Sequence, residues 1–135
     1  MNNEKGFTLV EIITVLILLG VVSAVLISGN LTGDTDLSAS ADKLKVHLRY
    51  AQMRAMNSDV AWGIKFDGGT YSLISDIGGT PGVETLPGES DKTLELPSAV
   101  IGTVGFDTWG RPSGPASIGL GSVTIIITPD TGFIP

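Results

Sequence analysis

The chain has no cysteine and a single histidine, His47, among its 135 residues. The absence of cysteine excludes disulfides, zinc sites with thiolate ligands and Cys/His nucleophiles. With one histidine, the sequence shows no Ser-His-Asp ordering, and neither a phosphate-binding loop nor a paired-carboxylate motif stands out. We therefore expect that the protein is not an enzyme and that it uses no cofactor.

Acidic residues close to glycines are the remaining signal for a metal ion. Asp34 and Asp36 form one such pair, and Asp67-Gly68 forms a second acidic turn. Neither continues into the ligand spacing that an EF-hand calcium loop requires. We therefore expect no metal site.

Basic side chains are scarce as well, with 8 Lys and Arg against 14 Asp and Glu and a net charge of −6. From Asp59 onward, only Lys65, Lys92 and Arg111 stand against nine acidic residues. DNA affinity depends on several Lys or Arg side chains that neutralise phosphates. The composition therefore argues against a nucleic-acid partner.

The chain does have a long apolar run, from Ile12 to Ile27, with the carboxylate of Glu11 at its head. Burying that carboxylate in the middle of a bilayer would cost about 2.5 kcal/mol or more, and less near an interface. Two interpretations remain open. Glu11 is either an acidic residue favoured by the free amides of a helix start, or a functional residue with a compensating partner.

The segment from Lys5 to Glu11, followed by unbroken aliphatic residues, resembles the prepilin leader of type IV pilins and secretion pseudopilins. The resemblance rests on Gly6, Phe7, Thr8, Leu9 and Glu11. It implies that prepilin peptidase cleaves after Gly6 and that Phe7 becomes the N-methylated terminus. It also implies that Glu11 pairs with the terminal amine of a neighbouring pilin or pseudopilin during filament assembly.

A cleavable secretory signal and a plain membrane anchor are the competing interpretations of this terminus. Residues 7–28 would extend about 33 Å as a helix at about 1.5 Å per residue, and a hydrocarbon core is about 30 Å thick. We therefore expect a leader at 1–6 and a single-pass transmembrane and filament-core helix at 7–28. Lys5 before this segment and the acidic chain after it predict a protein of the bacterial inner membrane with its C-terminal head in the periplasm.

A second helical segment is predicted at 29–57 as an amphipathic stem. Apolar residues recur there at spacings of four and three, which indicates one stripe that packs against a core: Leu37, Ala41, Leu44, Leu48, Ala51 and Ala55. We expect the basic residues of this segment to lie elsewhere on its surface, and His47 to be a surface or flank residue.

Residues 58–135 are predicted to form a β-rich head, because the apolar period changes to two and glycines become frequent. A hairpin is expected with its turn at Asp67-Gly68-Gly69, then an unstructured loop over 76–91. Further strands are expected at 92–96, 100–106, 118–120 and 123–128. The fold class is therefore α+β, with a long N-terminal helix, membrane span plus stem, packed on a small antiparallel head.

Three segments of the stem and head, at 48–58, 62–66 and 106–112, resemble the GspH/FimT family of minor pseudopilins. This resemblance implies a minor subunit of a type II secretion pseudopilus that supports protein export. The alternative is a minor pilin of a type IV pilus, with a role in DNA uptake. Arg111 is the candidate DNA contact in that case, although Ser113 stands where DNA-binding relatives carry a second arginine.

Overall fold

A computed structural model describes residues 8–28, 31–76, 79 and 81–135, and the side chains of these residues outside 24–35. Two compact units divide the chain, one ending at Gly33 and the other running from Asp34 to Pro135. The leader residues 1–7 lie outside the described residues.

The first unit contains helix α1, Leu9–Ser28. Thr8 caps its start: the Thr8 hydroxyl accepts a hydrogen bond from the Glu11 backbone N–H at 3.3 Å, and the Thr8 carbonyl accepts one from the same N–H at 3.0 Å. A capping threonine satisfies an amide that has no partner within the helix, which is why the helix begins here. The apolar run predicted from the sequence is therefore helical over its described part.

Helix α2, Leu31–Met56, begins earlier than the periodic stripe that predicted it. Five stripe residues are buried, Ala41, Leu44, Leu48, Ala51 and Ala55, as predicted. His47 is buried too, with 3% of its surface exposed, so its predicted place at the surface was wrong. Residue 47 follows Leu44 by three and precedes Ala51 by four, so it shares their helix face.

The main sheet has the order β2-β1-β3-β4 and is antiparallel throughout. Its strands are β1, Trp62–Ser75; β2, Gly82–Glu84; β3, Thr93–Phe106; and β4, Pro112–Ser113. A separate antiparallel pair joins β5, Ser117–Leu120, to β6, Val123–Ile126. The described part of the head thus contains two antiparallel sheets.

The hairpin expected at Asp67-Gly68-Gly69 is absent, because β1 runs straight through this segment. β1 stays paired with β3 on both sides of an irregularity: Gly68 lies opposite Val100, and Thr70 lies opposite Glu95. Gly68 has a φ of +65°, which glycine adopts easily. The two glycines therefore accommodate a β-bulge that bends the strand instead of a turn that reverses it.

The segment predicted as an unstructured loop, 76–91, is held at several points. β2 pairs with the end of β1, and Leu86 is buried in the core. Glu89 forms an ion pair with Lys43 of α2 at 2.6 Å. One buried leucine, a short strand and one ion pair thus attach the described part of this segment to the head.

A single hydrophobic core joins α2 to both sheets. Stripe residues of α2 pack with residues of β1, β3, β5 and β6, including Ile64, Phe66, Phe106, Leu120 and Ile125. The predicted α+β class, a helix packed on a curled antiparallel sheet, is confirmed.

Candidate functional site

The candidate assembly site is at the start of α1. Gly6 and Phe7, the predicted cleavage and methylation residues, lie outside the described residues. Glu11 is described and occupies the third helical position after the cap Thr8. Threonine followed three residues later by glutamate is the sequence pattern of a capping box.

The side chains around Glu11 are aliphatic and exposed to solvent in the single chain. Glu11, Ile12, Val15 and Leu16 line a groove of about 310 Å³ on one side of α1. Leu9 is 74% exposed, and the other described aliphatic side chains of α1 are exposed in the same way. A carboxylate thus lies beside an apolar helix surface that this unit does not cover.

Among the residues that the structure describes, no helix is long and apolar enough to cross a membrane.

Arg111, the second candidate residue, belongs to a tight turn at the end of β3. Asp107 organises this turn: its Oδ1 accepts hydrogen bonds from the backbone N–H groups of Trp109, at 3.0 Å, and Arg111, at 2.8 Å. The Arg111 Nε donates to Asp107 Oδ2 at 3.0 Å. Asp107 therefore engages both the backbone and the side chain of Arg111.

The electrostatics of the turn agree with its hydrogen bonds. Desolvation raises the pKa of Asp107, but the backbone N–H groups of Arg111 and Trp109, together with the Arg111 side chain, outweigh it and hold that pKa below its usual value. The Arg111 guanidinium also lies 5.1 Å from the centre of the Trp109 ring. Part of the charge of Arg111 is therefore already satisfied within the turn.

An open groove of about 480 Å³ lies between this turn and the C-terminal segment, lined by Trp109, Arg111, Asp130 and Thr131. Gln52 of α2 holds both walls, because its Nε2 donates to the carbonyls of Gly110 at 2.8 Å and Thr131 at 3.0 Å. Neither Gln52 nor Trp109 was predicted from the sequence to have a role of its own. The signal in the sequence was a tryptophan within Asp-Thr-Trp-Gly, a composition typical of a turn. An aromatic side chain in a turn is a candidate for exposure, and Trp109 is exposed in the structure.

A buried polar pair is a second feature that was not predicted from the sequence. The Nδ1 of His47 and the hydroxyl oxygen of Tyr71 are 2.9 Å apart, between α2 and β1. Burial lowers the pKa of His47, with Glu89 raising it and Lys43 lowering it to smaller extents. Burial, together with the charge of Glu89, raises the pKa of Tyr71 to about 12.

Metal-binding residues do not assemble in the described part of the chain, where no group of three or more His, Asp or Glu side chains could hold an ion. Asp67 belongs to β1, whereas Asp36 belongs to α2. The expected absence of a metal and of a cofactor stays a prediction.

The fold is α+β, with a helix packed on a curled antiparallel sheet, and this arrangement is consistent with a pilin-like fold. Residues 1–27 match the family model of the prokaryotic N-terminal methylation motif. This motif is the signal of type IV pilin-like prepilins and implies processing by prepilin peptidase and pilin-type assembly. Neither a curated protein nor a solved structure gave a significant match.

The prepilin-type N-terminus predicted from the sequence is thus confirmed. The match does not test the role of Glu11, and it ends at residue 27, before Arg111 and the segments that resemble GspH/FimT proteins. The roles of Glu11 and Arg111 and the resemblance to GspH/FimT proteins therefore stay predictions.

Proposed function

We propose that the protein is a minor pseudopilin of a type II secretion pseudopilus. In this proposal prepilin peptidase removes residues 1–6 and methylates Phe7, and the mature chain is assembled with other pseudopilins to support protein export. The observation that carries the proposal is the position of Glu11, in the first turn of an exposed apolar helix that lies within the match to the methylation motif.

The mechanism follows from the charges at the mature terminus. Cleavage before Phe7 would create a positive amine four residues from Glu11, about one helical turn away. An aliphatic helix leaves water when it enters a membrane or a filament core, and an uncompensated carboxylate opposes that transfer by about 2.5 kcal/mol or more. Pairing of Glu11 with the amine of a neighbour neutralises both charges and fixes the axial position of one subunit against the next.

The proposed location is the inner membrane, with the head in the periplasm. The apolar content of 12–27 and the single basic residue before it, Lys5, support this orientation. An acidic head without cysteine is compatible with an oxidising compartment, because it has no thiol to oxidise.

The packing of the head supports a GspH/FimT-type subunit. The three segments behind that resemblance meet in the core, where Leu48 and Ala51 of α2 pack with Ile64 of β1 and Phe106 of β3. Arg54 adds a stacking contact, 4.5 Å above the ring of Trp62. The residues that carry the resemblance are thus mostly structural, which fits a scaffold for assembly.

A pilin for DNA uptake is the second candidate, and the exposed Arg111 is what favours it. Its Nε is engaged by Asp107, and Asp130 lines the same groove, so phosphates would meet two carboxylates there. Electrostatic affinity for DNA grows with the number of free cations. The charge around Arg111 therefore supports the secretion subunit over the DNA-binding one.

The first test is co-expression of the full chain with a prepilin peptidase, followed by intact-mass measurement. We expect loss of Met1 to Gly6 and addition of one methyl group. The matched control is Gly6→Leu, whose bulk should leave the leader attached. An unchanged mass of the unaltered chain, under conditions where a known prepilin is cut, would contradict the proposal.

The second test separates the two interpretations of Glu11. Glu11→Ala should insert in the membrane normally but fail to enter filaments, and Glu11→Gln should also fail because it lacks the charge. Thr8→Val removes the capping hydroxyl and keeps the carboxylate, so it should assemble. If Glu11→Gln assembled normally while Thr8→Val did not, Glu11 would be a helix-capping residue only.

A further inference from the structure

All three arginines of this acidic chain make contacts with residues of the head. Arg111 stacks on Trp109, Arg54 stacks on Trp62, and Arg49 donates to the Ile134 carbonyl through Nε at 3.2 Å and Nη2 at 2.9 Å. Each arginine is therefore already engaged by a group of the head.

Large apolar side chains are exposed on the head as well. Trp109 is 73% exposed, Phe133 63%, Met56 55% and Met53 51%. They are neighbours, because a Cβ on Gly110 would touch the Met56 sulfur and one on Gly132 would touch the Gly110 carbonyl oxygen. We call this surface, formed by Met53, Met56, Trp109, Arg111 and Phe133, the Trp109 patch.

The two turns that carry Trp109 and Phe133 are held by hydrogen bonds before any partner binds. Asp107 closes the turn that carries Trp109, and hydrogen bonds between Thr128 and Phe133 and between Gly132 and Thr128 close the C-terminal turn. Gln52 attaches both turns to α2. A surface that is already ordered loses little conformational entropy on binding.

Its composition is that of a protein interface. Aromatic residues, methionine and arginine are enriched at such interfaces, and tryptophan and arginine supply many of their binding hot spots. Methionines and Phe133 would add little to phosphate binding, and the carboxylates of Asp107 and Asp130 would oppose it. The patch therefore fits another protein surface better than a nucleic acid.

A complementary surface is present on the outer face of the main sheet. Ile101 is 86% exposed on β3, and Asp67, directly opposite it on β1, is exposed on the same face. Lys65 is exposed two residues before Asp67, so it lies on that face as well. These three residues, the Ile101 face, combine an aliphatic centre with one charge of each sign.

We propose that the Trp109 patch of one copy binds the Ile101 face of a second copy. Ile101 would pack on Trp109, Asp67 would face Arg111, and Lys65 would face Asp130 across the groove. The two surfaces differ, so the contact is heterologous, and repetition of such a contact produces an open, head-to-tail array. It goes beyond the proposed function, because it requires at least two adjacent copies per filament and does not depend on leader cleavage.

Cysteine cross-linking tests the contact, since the chain has no cysteine of its own. Thr108→Cys, beside Trp109, is combined with Thr103→Cys, which lies opposite Lys65 on the Ile101 face. Mild oxidation of the full chain in detergent micelles should give a ladder of disulfide-linked oligomers. The matched control replaces Thr103→Cys with Glu84→Cys on β2, and it should give no ladder.

Charge reversal provides the specific readout. Lys65→Glu and Asp130→Lys, each added to the cross-linking pair, should lower the yield several-fold, because each places like charges opposite one another. Together they should restore it. Trp109→Ala should reduce the yield by about tenfold as loss of a hot spot, while its backbone N–H to Asp107 is kept.

Equal ladders from both cysteine pairs, or no recovery in the charge-swapped double variant, would overturn the proposal. So would the absence of any ladder together with DNA binding that Trp109→Ala abolishes, which would assign the patch to nucleic acid. Because leader cleavage is read separately by mass, failure of this contact would leave the proposed function unaffected.

Discussion

The Nδ1 of His47 lies 2.9 Å from the hydroxyl oxygen of Tyr71, in the interface between α2 and the main sheet. Their rings are tilted at 42° to one another, and the side chains of both residues are buried. This hydrogen bond satisfies two polar groups inside the core, where an unpaired one costs about 1–3 kcal/mol. Glu89 and Lys43, paired at the edge of the interface, set the charge around it.

Acid should destabilise the head through His47. Its pKa is lowered in the folded state, so below the unfolded value of about 6.5 the unfolded chain binds more protons than the folded one. Stability from this group is full above that pH and falls as the pH drops toward the folded pKa, by at most about 1.4 kcal/mol per pH unit. Urea unfolding between pH 7.5 and 5, followed by the fluorescence of the buried Trp62, measures the loss.

The control for this prediction is His47→Gln, which keeps a polar partner for Tyr71 and does not titrate. Its stability should be much less dependent on pH over the same range. If the free energy of unfolding of His47→Gln depended on pH as steeply as that of the unaltered chain, the carboxylates and not His47 would cause the loss of stability.

The charges next to His47 should shift its titration in opposite directions. Glu89→Gln removes a charge that raises the pKa of His47, so the pKa should fall further. Lys43→Gln removes a charge that lowers it, so the pKa should rise. The chain has one histidine, and a single imidazole resonance in an NMR titration therefore reports both shifts. Shifts of the same sign in the two variants would contradict this electrostatic account.

The stripe of α2 was predictable because a repeated spacing of three and four is a local property of the sequence. His47 was missed because its polarity was given more weight than its position on that stripe. The bulge at Gly68-Gly69 was mistaken for a hairpin turn, since two glycines are equally compatible with either, and only the pairing of β1 with the distant β3 decides between them.

The two candidate sites also differ in how far they could be predicted from the sequence. Glu11 was identified from a contiguous motif, whose described part folds as a local helix start. The groove at Trp109 brings residue 52 together with residues near 110 and 131, which lie 58 and 79 positions away. No local pattern predicts such an arrangement, because it depends on how the C-terminal segment packs against α2.

Loss of Gln52 should loosen both walls of the groove. Gln52→Met keeps the length of the side chain but removes two hydrogen bonds, each contributing about 0.5–1.5 kcal/mol. We expect the free energy of unfolding to fall by about 1–3 kcal/mol. Amide hydrogen exchange should become faster around 107–111 and 128–133.

Lys45→Ala serves as the control, because Lys45 forms a long ion pair, 3.6 Å, with the exposed Asp42 and does not line the groove. Its effect should be below about 1 kcal/mol. Equal exchange rates for Gln52→Met and the unaltered chain would show that Gln52 does not hold the groove.

Gly132 should not tolerate a side chain, whereas Gly119 should. Gly132 has a φ of +66°, and a Cβ there would collide with the Gly110 carbonyl oxygen and lie 2.5 Å from Gln52 Nε2. A Cβ on Gly119 of β5 would meet nothing within 4 Å. Gly132→Ala combines left-handed strain with a collision against backbone and should lower the free energy of unfolding by about 2–4 kcal/mol. Gly119→Ala should change it by less than about 0.5 kcal/mol. Urea denaturation of the two variants measures both changes. If Gly132→Ala and Gly119→Ala were similarly stable, the C-terminal segment would not pack on the Asp107 turn as closely as these distances indicate.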